Sequence, residues 1–315
     1  MTPGMEFTLP LVLVLLPVYN GEKFLREQID SILNQTHRNL RLVCRDDGSS
    51  DASLHILQAY VASHPDRVQL LLDNKGNLGA SGSFSELMQR ALPDGGGHRV
   101  VYVALADQDD IWQPDKLQRC LEAMRLAESA SPDIPVLVHS DLRVVDAHGS
   151  EIAPSFMRYQ GLDPGRTEFS SQLISNTITG CTSLMNPGLL KKALPVPAQA
   201  VMHDWWLSLV ASAFGRLIYV PEQLVEYRQH GSNTLGAREH KKTSVSLQTF
   251  KKIFQLQKNE SAQRLFEQAA AQALAFETRF ADELSPESLD VIHDVRQLPR
   301  LGLWQQRLLF RRLRK

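Results

Sequence analysis

The sequence predicts an α/β fold, with a mainly parallel sheet flanked by helices and a helical C-terminal extension. Short apolar runs alternate with segments of helical periodicity through the first half of the chain, the pattern of repeated strand–helix–strand units. Strands connected in this way pair in parallel and are covered by helices on both faces. The length of 315 residues and the hydrophobic content of 43% are enough to bury one large core.

The predicted strands are short runs rich in Leu, Val and Ile, as expected for strands that are buried on both faces. In chain order they are Leu11–Leu16, Leu40–Arg45, Val68–Leu72, Val100–Ala106, Val136–Ser140, Cys181–Met185 and Leu217–Val220. Ligands of parallel sheets bind beyond the carboxyl ends of the strands. The loops that follow these runs are therefore where we expect functional residues.

Helices are predicted where apolar residues recur three and four positions apart. They are Glu22–Gln35, Asp51–Ser63, a helix opened by Ser83 and Glu86, a helix opened by Pro114, and His203–Phe214. We expect Asn20 and Asp51 to cap the first two helices. Ser83 and Glu86 have the spacing of a capping box, which would place a helix start at Ser83.

The regular alternation fades after about Ile152, and beyond Val245 the apolar residues recur at helical intervals. We therefore predict a sheet domain at residues 1–240 and a helical extension at residues 241–315. Within the sheet domain, the strand–helix alternation distinguishes a first half at about 9–142 from a second half at about 143–240.

Composition and charge exclude several classes of protein. A formal net charge of −1 gives no general reason to expect a nucleic-acid partner. Cys44, Cys120 and Cys181 have no CxxC spacing, so neither a disulfide framework nor a zinc site is expected, and a reducing cytoplasm fits best. The apolar run Leu9–Val18 is too short to span a bilayer and lacks the basic flank of a signal peptide.

The last segment is basic and amphipathic. Arginine and lysine alternate there with large apolar residues: Arg307, Arg311, Arg312, Arg314 and Lys315 with Leu303, Trp304, Leu308, Leu309, Phe310 and Leu313. Such a helix either lies on an anionic membrane surface or packs one face on the domain and leaves its charges in water. The sequence leaves both readings open.

Acidic residues follow two of the predicted strands. Asp46-Asp47-Gly48-Ser49-Ser50-Asp51 follows the second strand, and Asp107-Gln108-Asp109-Asp110 follows the fourth. Carboxylates gathered at neighbouring strand ends repel one another and raise one another's pKa, so such a cluster is tolerated where a positive ligand binds. Hard carboxylate oxygens suit Mg²⁺ or Mn²⁺.

The alternative is that these aspartates only cap helices. That reading stays open for Asp51, which directly precedes a predicted helix. It is disfavoured for Asp107 and Asp109, because Pro114 opens the next helix several residues later. A cation held by Asp109 would neutralise a diphosphate leaving group.

Four motifs in order resemble the family 2 glycosyltransferases of GT-A fold. They are Pro17-Val18-Tyr19-Asn20-Gly21, Ser31-Ile32-Leu33-Asn34-Gln35-Thr36, Asp46-Asp47-Gly48-Ser49 and Asp107-Gln108-Asp109-Asp110-Ile111-Trp112. The resemblance runs from about Leu11 to Asn233. It implies transfer of a sugar from a nucleotide-diphosphate donor to a hydroxyl of a glycan or lipid-linked glycan, with Mn²⁺ or Mg²⁺ as cofactor. Residues 9–142 would then be the nucleotide-binding half and 143–240 the acceptor half.

The resemblance also implies roles for residues of the first half. Pro17, Val18 and Tyr19 would line the nucleobase pocket, Asp47 would bond the base, and Asp107 would face the ribose or the sugar. Asp109 would be a metal ligand. Asn20, Asp46 and Gln108 belong to the same donor-binding motifs. Asn77 and Ser81 would lie beside the donor, although Gly76-Asn77-Leu78-Gly79 also reads as a loop that only needs glycine's positive φ angles.

The second half supplies a candidate base in Met202-His203-Asp204-Trp205-Trp206. An acceptor hydroxyl must lose its proton as it attacks, and a carboxylate at the mouth of the site can take it. By resemblance, Asp204 is that base, which is compatible with a helix-start position favoured by the dipole. Trp205 and Trp206 are candidates for stacking on the acceptor sugar, although adjacent aromatics at a helix start also suit a core.

Two further motifs complete the predicted site. In Tyr227-Arg228-Gln229-His230-Gly231, Arg228 is a candidate partner for diphosphate oxygens and His230 a candidate metal ligand, since imidazole suits Mn²⁺. Thr179, Gly180 and Cys181 resemble the acceptor-side loop of the family, where small residues leave room for a sugar.

Asp204 fits single displacement with inversion, whereas a retaining mechanism would not need a base in line. The runs Val138-His139-Ser140-Asp141-Leu142, His203-Asp204-Trp205-Trp206 and Tyr227-Arg228-Gln229-His230-Gly231 resemble bacterial rhamnosyltransferases of surface-polysaccharide and lipopolysaccharide synthesis. That resemblance implies L-rhamnose from a dTDP donor and work at the inner face of the cytoplasmic membrane.

Two other functions fit the sequence less well. A sugar-phosphate nucleotidylyltransferase would need a cationic, Gly-rich loop after the first strand, and Pro17–Gly21 offers none. A non-catalytic nucleotide-sugar-binding protein would be expected to lack the metal ligand or the base, whereas Asp109 and Asp204 are both present.

Overall fold

The structure is a computed structural model that describes residues 9–92, 101–131, 133–231 and 260–313. Within these residues, nine strands form one mixed sheet in the order β3-β2-β1-β4-β8-β6-β9-β5, with β7 beside β6. The strands are β1 Leu11–Val18, β2 Leu40–Asp46, β3 Val68–Leu71, β4 Val101–Leu105, β5 Ile111–Trp112, β6 Val136–Val145, β7 Glu151–Ala153, β8 Leu184–Met185 and β9 Arg216–Arg228.

The first four strands are parallel, as the sequence predicts. β1 is the centre of this group, with Val14 opposite Leu42 of β2 and Leu13 opposite Val103 of β4. The second half adds antiparallel pairs, because the short β8 runs against both β4 and β6. β6 and β9 pair in parallel with register shifts near Asp141. The predicted α/β class is confirmed, and its second half is more mixed than the alternation of the first half indicates.

Helices cover both faces of the sheet. They are α1 Leu25–Leu33, α2 Ser53–Ser63, α3 Gly79–Ala91, α4 Lys116–Ala130, α5 Phe156–Gln160, α6 Phe169–Ile174, α7 Pro187–Ala193, α8 His203–Phe214, α9 Glu260–Phe280, α10 Pro286–Gln297 and α11 Leu303–Leu313. Alternate side chains of β1 face opposite cores, as the period of a strand requires. Val14 and Leu16 belong to the core that includes residues of α1 and α4, whereas Leu15 belongs to the core that includes residues of α3, α8 and α9.

Two predicted helix caps are wrong. The helix assigned to Ser83 and Glu86 begins at Gly79, because the carboxylate of Asp47 accepts hydrogen bonds from the first N–H groups of that helix. This cap comes from the end of β2, so no local pattern could reveal it. Asn20 does not cap α1 either, since its Oδ1 accepts from the backbone N–H of Ser50.

The helical extension packs on the face that carries α8. Phe276 and Phe280 of α9 contact the ring of Trp206 in α8. Arg279 extends beside them and donates hydrogen bonds to the carbonyl oxygens of residues 192–195. The sequence-predicted helix beyond Val245 is described only from residue 260, and its earlier part lies outside the described residues.

The basic tail forms α11, and one of its faces is packed. Leu309 and Leu313 are buried, while Trp304 is 73% exposed and Leu308 is 65% exposed. Arg311 and Arg312 are exposed, and Arg314 and Lys315 lie outside the described residues. Over the described ranges, no helix has the length and apolar character needed to cross a bilayer.

Candidate active site

A cleft of about 450 Å³ opens at the carboxyl ends of β1, β2 and β4, within the range usual for small-ligand sites. Two groups of side chains line it. From the first half come Pro17, Val18, Tyr19, Asp47, Asn77, Gly79, Ala80, Ser83, Phe84, Asp107, Gln108 and Asp109. From the second half come Thr179, Gly180, Met202, His203, Asp204 and Tyr227. Parallel strands that end at one edge thus bring distant sequence motifs into one cavity.

The loop after β1 is tied to the loop after β4 by Gln108. Its Oε1 accepts from the N–H of Tyr19 at 2.8 Å, and its Nε2 donates to the carbonyl of Tyr19 at 3.0 Å. The amide lies against Gly21, where an added Cβ would come within 2.5 Å of Oε1. The ring of Tyr19 is half exposed and forms the outer wall of the cleft. An aromatic ring in this position can stack on a planar base.

Asp47 lies at the inner end of the same wall and is almost fully buried. Its carboxylate accepts from the backbone N–H groups of Leu78 and Gly79, at 2.7 and 2.9 Å, and from the guanidinium of Arg45. Asn77 donates to the Asp47 carbonyl at 2.9 Å. These bonds fix the loop that closes this side of the cleft.

The acidic run after β4 is partly buried behind the cleft. Donor atoms of Asp107, Asp110 and Cys181 lie within 4.8 Å of one another. Burial, with the charges of Asp109 and Asp204, raises the pKa of Asp107 to about 7, and burial also raises the pKa of Asp110. One Asp110 oxygen is buried without a hydrogen-bond partner. The electrostatics of this region therefore favour an added positive charge.

Lys116 brings a buried cation close to this cluster. Its ammonium lies 3.4 Å above the ring of Trp112, a cation–π contact. Burial lowers the pKa of Lys116 to about 8, and the charge of Asp110 acts in the opposite direction. The position of this lysine could not be predicted from the sequence, because Lys116 lies inside the predicted helix after Pro114.

The side chains of Asp109, in the acidic run after β4, and His230, just after β9, are in contact. The Asp109 carboxylate oxygen and His230 Nε2 are 2.8 Å apart, and each side chain is 14% exposed. The antiparallel pairing of β5 with β9 explains the meeting, since Ile111 lies opposite Glu226 and the chain leaves β9 just before His230. A carboxylate oxygen and an imidazole nitrogen at one point are a donor set that suits Mn²⁺. Together with the raised pKa of Asp107, this pair fits a divalent cation.

Asp204 stands across the cleft in the first turn of α8. Its carboxylate accepts from the N–H groups of Trp205 and Gly180, at 2.6 and 3.1 Å, and from the Asn176 side chain at 3.2 Å. Burial raises its pKa to about 6, although each of these hydrogen bonds lowers it. A carboxylate with a pKa close to neutrality is well matched to accepting a proton near neutral pH.

Phe84 and His203 form part of the cleft that sequence reasoning missed. The two rings stack with centroids 4.2 Å apart, and both lie along the cleft. Burial lowers the pKa of His203 to about 3, so its imidazole is neutral. His203 could have been predicted to line the cleft, because it directly precedes Asp204 in the sequence. Phe84 could not, because nothing distinguishes it from other apolar residues of a helix.

The structure contradicts the acceptor-stacking role predicted for Trp205 and Trp206. Both indoles are buried in the core behind α8, where Trp205 donates to the carbonyl of Gln172 and Trp206 to that of Ala193. Apolar partners on α9 cover Trp206, which is why the bulky rings turn inward. Cys181 is likewise buried, behind Asp107 rather than in the cleft.

Arg228 does not line the cleft, contrary to its predicted diphosphate role. Its guanidinium is 5% exposed and pairs with Glu27. It also donates to the carbonyls of Asp109 and Ala147 and lies over the ring of Phe24. These partners hold it behind Asp109, where it supports the turn instead of facing a ligand.

Three predicted donor residues lie near the cleft without lining it. Asp46 accepts from the N–H groups of Gly48 and Ser49, so its carboxylate closes the turn after β2. Asn20 binds Ser50 in the neighbouring loop. Ser81 is in the first turn of α3, where Gly79 and Ala80 reach the cleft instead.

Comparison with known proteins extends these observations. The family model described as Glycosyl transferase family 2 matches residues 13–192. An uncharacterized glycosyltransferase from Nostoc sp. is 27% identical over 228 residues, covering 70% of this chain and 65% of that protein. A dTDP-rhamnosyl transferase from Shigella flexneri is 27% identical over 233 residues, covering 70% of this chain and 73% of that protein.

Other relatives are longer than the matched region. The Escherichia coli chondroitin synthase is 30% identical over 147 residues, which is 47% of this chain and 19% of that enzyme. The chain spans less than two thirds of the length of the first curated relatives that it matches.

Solved structures share the fold at low identity. The Staphylococcus aureus TarS fragment in complex with UDP-GlcNAc aligns with a TM-score of 0.55 and 13% identity, covering 96% of this chain and 81% of that chain. The mannosyltransferase PcManGT from Pyrobaculum calidifontis, in complex with GDP-Man and Mn²⁺, aligns with a TM-score of 0.50 and 16% identity. It covers 98% of this chain and 86% of that chain.

Proposed function

The chain belongs to glycosyl transferase family 2, and from this premise we propose that it transfers a sugar from a nucleotide-diphosphate donor to an acceptor hydroxyl with inversion. The observation that carries the proposal is the cleft in which Asp47 and Asp109, from the first half, face Asp204 from the second. Binding groups for a donor and a base of suitable pKa thus share one cavity.

The donor nucleotide lies along the first-half wall of the cleft. Its base stacks against Tyr19 and bonds the Asp47 carboxylate, in the space bounded by Pro17 and Val18. Asn77 and Asp107 lie further along, beside the ribose and the sugar. A planar aromatic ring next to a buried acceptor is well suited to a nucleobase, which offers both a flat face and polar edges.

Asp109 and His230 would hold a divalent cation in this proposal. Such a cation would supply positive charge to the diphosphate leaving group. Mn²⁺ in the PcManGT complex supports testing manganese first. Arg228 acts indirectly, because its bond to the Asp109 carbonyl holds the turn that carries this carboxylate.

Asp204 is the proposed general base. The acceptor hydroxyl gives its proton to the Asp204 carboxylate while its oxygen forms a bond to the anomeric carbon. The bond from that carbon to the phosphate oxygen breaks, and its electron pair leaves with the nucleoside diphosphate. Thr179 and Gly180 adjoin Asp204 and leave space for the acceptor. Attack from the side opposite the diphosphate inverts the anomeric centre.

The identity of the sugar and the acceptor forms the finer part of the proposal. The likeness to a dTDP-rhamnosyl transferase supports dTDP-L-rhamnose as the first donor to test. A putative teichuronic acid biosynthesis glycosyltransferase from Bacillus subtilis, 27% identical over 226 residues, supports a cell-surface glycan as acceptor. We place the reaction at the inner face of the cytoplasmic membrane, with the exposed side of α11 as the contact.

A donor panel tests the proposal directly. The protein is incubated with Mn²⁺ and each of several nucleotide-diphosphate sugars, including dTDP-L-rhamnose, with simple glycosides as acceptors. Release of nucleoside diphosphate and the mass of the glycoside product are measured, and the anomeric configuration is read by NMR. Asp204→Asn serves as the matched variant, since it keeps the size of the side chain and removes the base.

We expect one donor to give product with inverted configuration, and the Asp204→Asn variant to bind that donor without turning it over. Donor binding with no release by the unaltered protein would instead identify a non-catalytic nucleotide-sugar-binding protein. A product of retained configuration would refute the role of Asp204.

A further inference from the structure

Arg45 is a charged residue buried at the end of β2, beneath the nucleobase end of the cleft. Its side chain is 1% exposed, and arginine is almost never buried to this degree unless it is fully paired. It lies near the end of β2, follows the buried Cys44 and does not line the cleft. None of the roles proposed above uses it.

A guanidinium carries five N–H donors, and the hydrogen bonds of Arg45 account for all of them. Nε and Nη2 donate to the two oxygens of Asp73, at 2.9 and 3.0 Å. Nη2 also donates to the carbonyl of Gly76 at 2.7 Å. Nη1 donates to the Asp47 carboxylate and, at 2.9 Å, to the hydroxyl of Ser83. One side chain therefore joins β2, the loop Asp73–Gly79 and helix α3.

Asp47 is held from two sides by this arrangement. Its Oδ1 accepts from Arg45 and from the N–H of Leu78, and its Oδ2 accepts from the N–H of Gly79. An ionised carboxylate has about four acceptor positions. Three are taken by the protein, and one on Oδ2 remains for a ligand in the cleft that Asp47 lines.

We propose that Arg45 is a positioning residue for nucleobase selection: it fixes Asp47 so that a single acceptor position faces the base. The inference rests on the proposed function, because it assumes a nucleotide in this cleft. A carboxylate only accepts, so it favours bases with a ring N–H at their pairing edge, which are uracil, thymine and guanine. Cytosine and adenine present an unprotonated ring nitrogen there, and their donors at that edge are exocyclic amino groups, which lie to the side of the fixed acceptor position; they are therefore disfavoured while Asp47 cannot turn.

Lysine cannot replace Arg45 in this role. An ammonium offers three donors from one point, whereas the five bonds of Arg45 leave in a planar fork toward four different residues. Asp73 balances the guanidinium from the side away from the cleft, and the hydrogen bonds from Arg45 lower the pKa of Asp73. With Arg45 removed, Asp47 loses one of its three anchors and can turn its carboxylate, so a base without a ring N–H is no longer rejected.

The test measures discrimination among bases. Dissociation constants of UDP, dTDP, GDP, CDP and ADP are determined with Mn²⁺ by calorimetry for the full chain. They are compared with those of Arg45→Lys and of Arg45→Met/Asp73→Asn, the second of which leaves neither charge of that pair buried alone. Arg67→Met is the matched control, since Arg67 is a half-buried guanidinium at the opposite end of the same strands and bonds the carbonyl of Leu33.

We expect the unaltered protein to bind its preferred base about tenfold or more tightly than CDP and ADP, the size expected for a hydrogen bond to a charged group. In both Arg45 variants this ratio should fall toward one, while Arg67→Met keeps it. Variants that bind more weakly yet keep the full ratio would overturn the inference and assign Arg45 to folding alone. If the unaltered protein binds all five nucleotides equally, Asp47 does not select the base, and the inference is also overturned. Failure to bind any nucleotide would instead refute the proposed function.

Discussion

Replacing Asp204 by asparagine should abolish transfer and change how stability depends on pH. Burial raises the pKa of Asp204 from 3.8 to about 6. Between these values the folded protein keeps a proton that the unfolded chain has lost, so the free energy of unfolding falls as pH rises through this window. Above about pH 6 the penalty for the buried charge is complete. Asparagine has no proton to lose, and the variant escapes the penalty.

The size of the effect follows from the shift. About two pKa units at about 1.4 kcal/mol each give a penalty of about 3 kcal/mol at neutral pH. In the unaltered protein the N–H of Gly180 donates to the Asp204 carboxylate at 3.1 Å. In the variant this N–H would face the asparagine N–H₂, which cannot accept, so part of the gain in the free energy of unfolding is offset. An unpaired donor costs about 1–3 kcal/mol. The cost of the unpaired donor does not depend on pH. The change in the stability difference between two pH values therefore measures only the contribution of the Asp204 charge.

Urea unfolding of both proteins at about pH 4.5 and about pH 7.5 measures this difference. The variant should gain about 2 kcal/mol relative to the unaltered protein between the two conditions, since most of the titration window lies between them. In parallel, kcat/KM of the unaltered protein should fall about tenfold per pH unit below about pH 6, as the base is protonated. A constant stability difference across this range, or a variant with full transfer activity, would refute the assignment of Asp204.

Three further predictions concern the metal, the packing and the tail. Chelation by EDTA should stop sugar transfer, measured as release of nucleoside diphosphate. Asp109→Asn should lower the transfer rate by about a hundredfold or more and raise the Mn²⁺ concentration that is required. Full activity in EDTA would contradict the metal role. Gly215→Ala should lower the free energy of unfolding in urea by about 2–4 kcal/mol, because an added Cβ would lie 1.7 Å from the carbonyl oxygen of Pro135; an unchanged midpoint would show that the backbone yields. Trp304→Ser with Leu308→Ser should reduce co-sedimentation with anionic vesicles, and equal binding by both proteins would exclude α11 as the membrane contact.

Local patterns in the sequence predict the elements whose causes are local. Apolar runs predict the parallel strands, and the bounds of α8 match the predicted helix His203–Phe214. The start of α3 could not be predicted in this way, because the carboxylate that caps it belongs to Asp47, some thirty residues earlier in the chain. Such caps depend on the fold that they help to stabilise.

The site shows the same division. Asp47, Asp109 and Asp204 belong to short motifs in the sequence, and all three line the cleft; their chemical roles stay predictions. Whether Trp206 stacks on a sugar or fills the core depends on α9, which lies more than fifty residues further along the chain. The pairing of Arg228 with Glu27, about two hundred residues away, is equally hidden from local reasoning.

The aromatic contact between α8 and α9 joins the helix that borders the cleft to the helical extension. Asp204 and Trp206 both lie in the first turn of α8, and Trp206 packs on Phe276 and Phe280 of the extension. A chain shortened at about residue 240 would expose the ring of Trp206 and leave Asp204, the proposed base, on a helix without these packing partners. The extension therefore shares one core with α8, and replacing it would remove side chains that support the helix carrying Asp204.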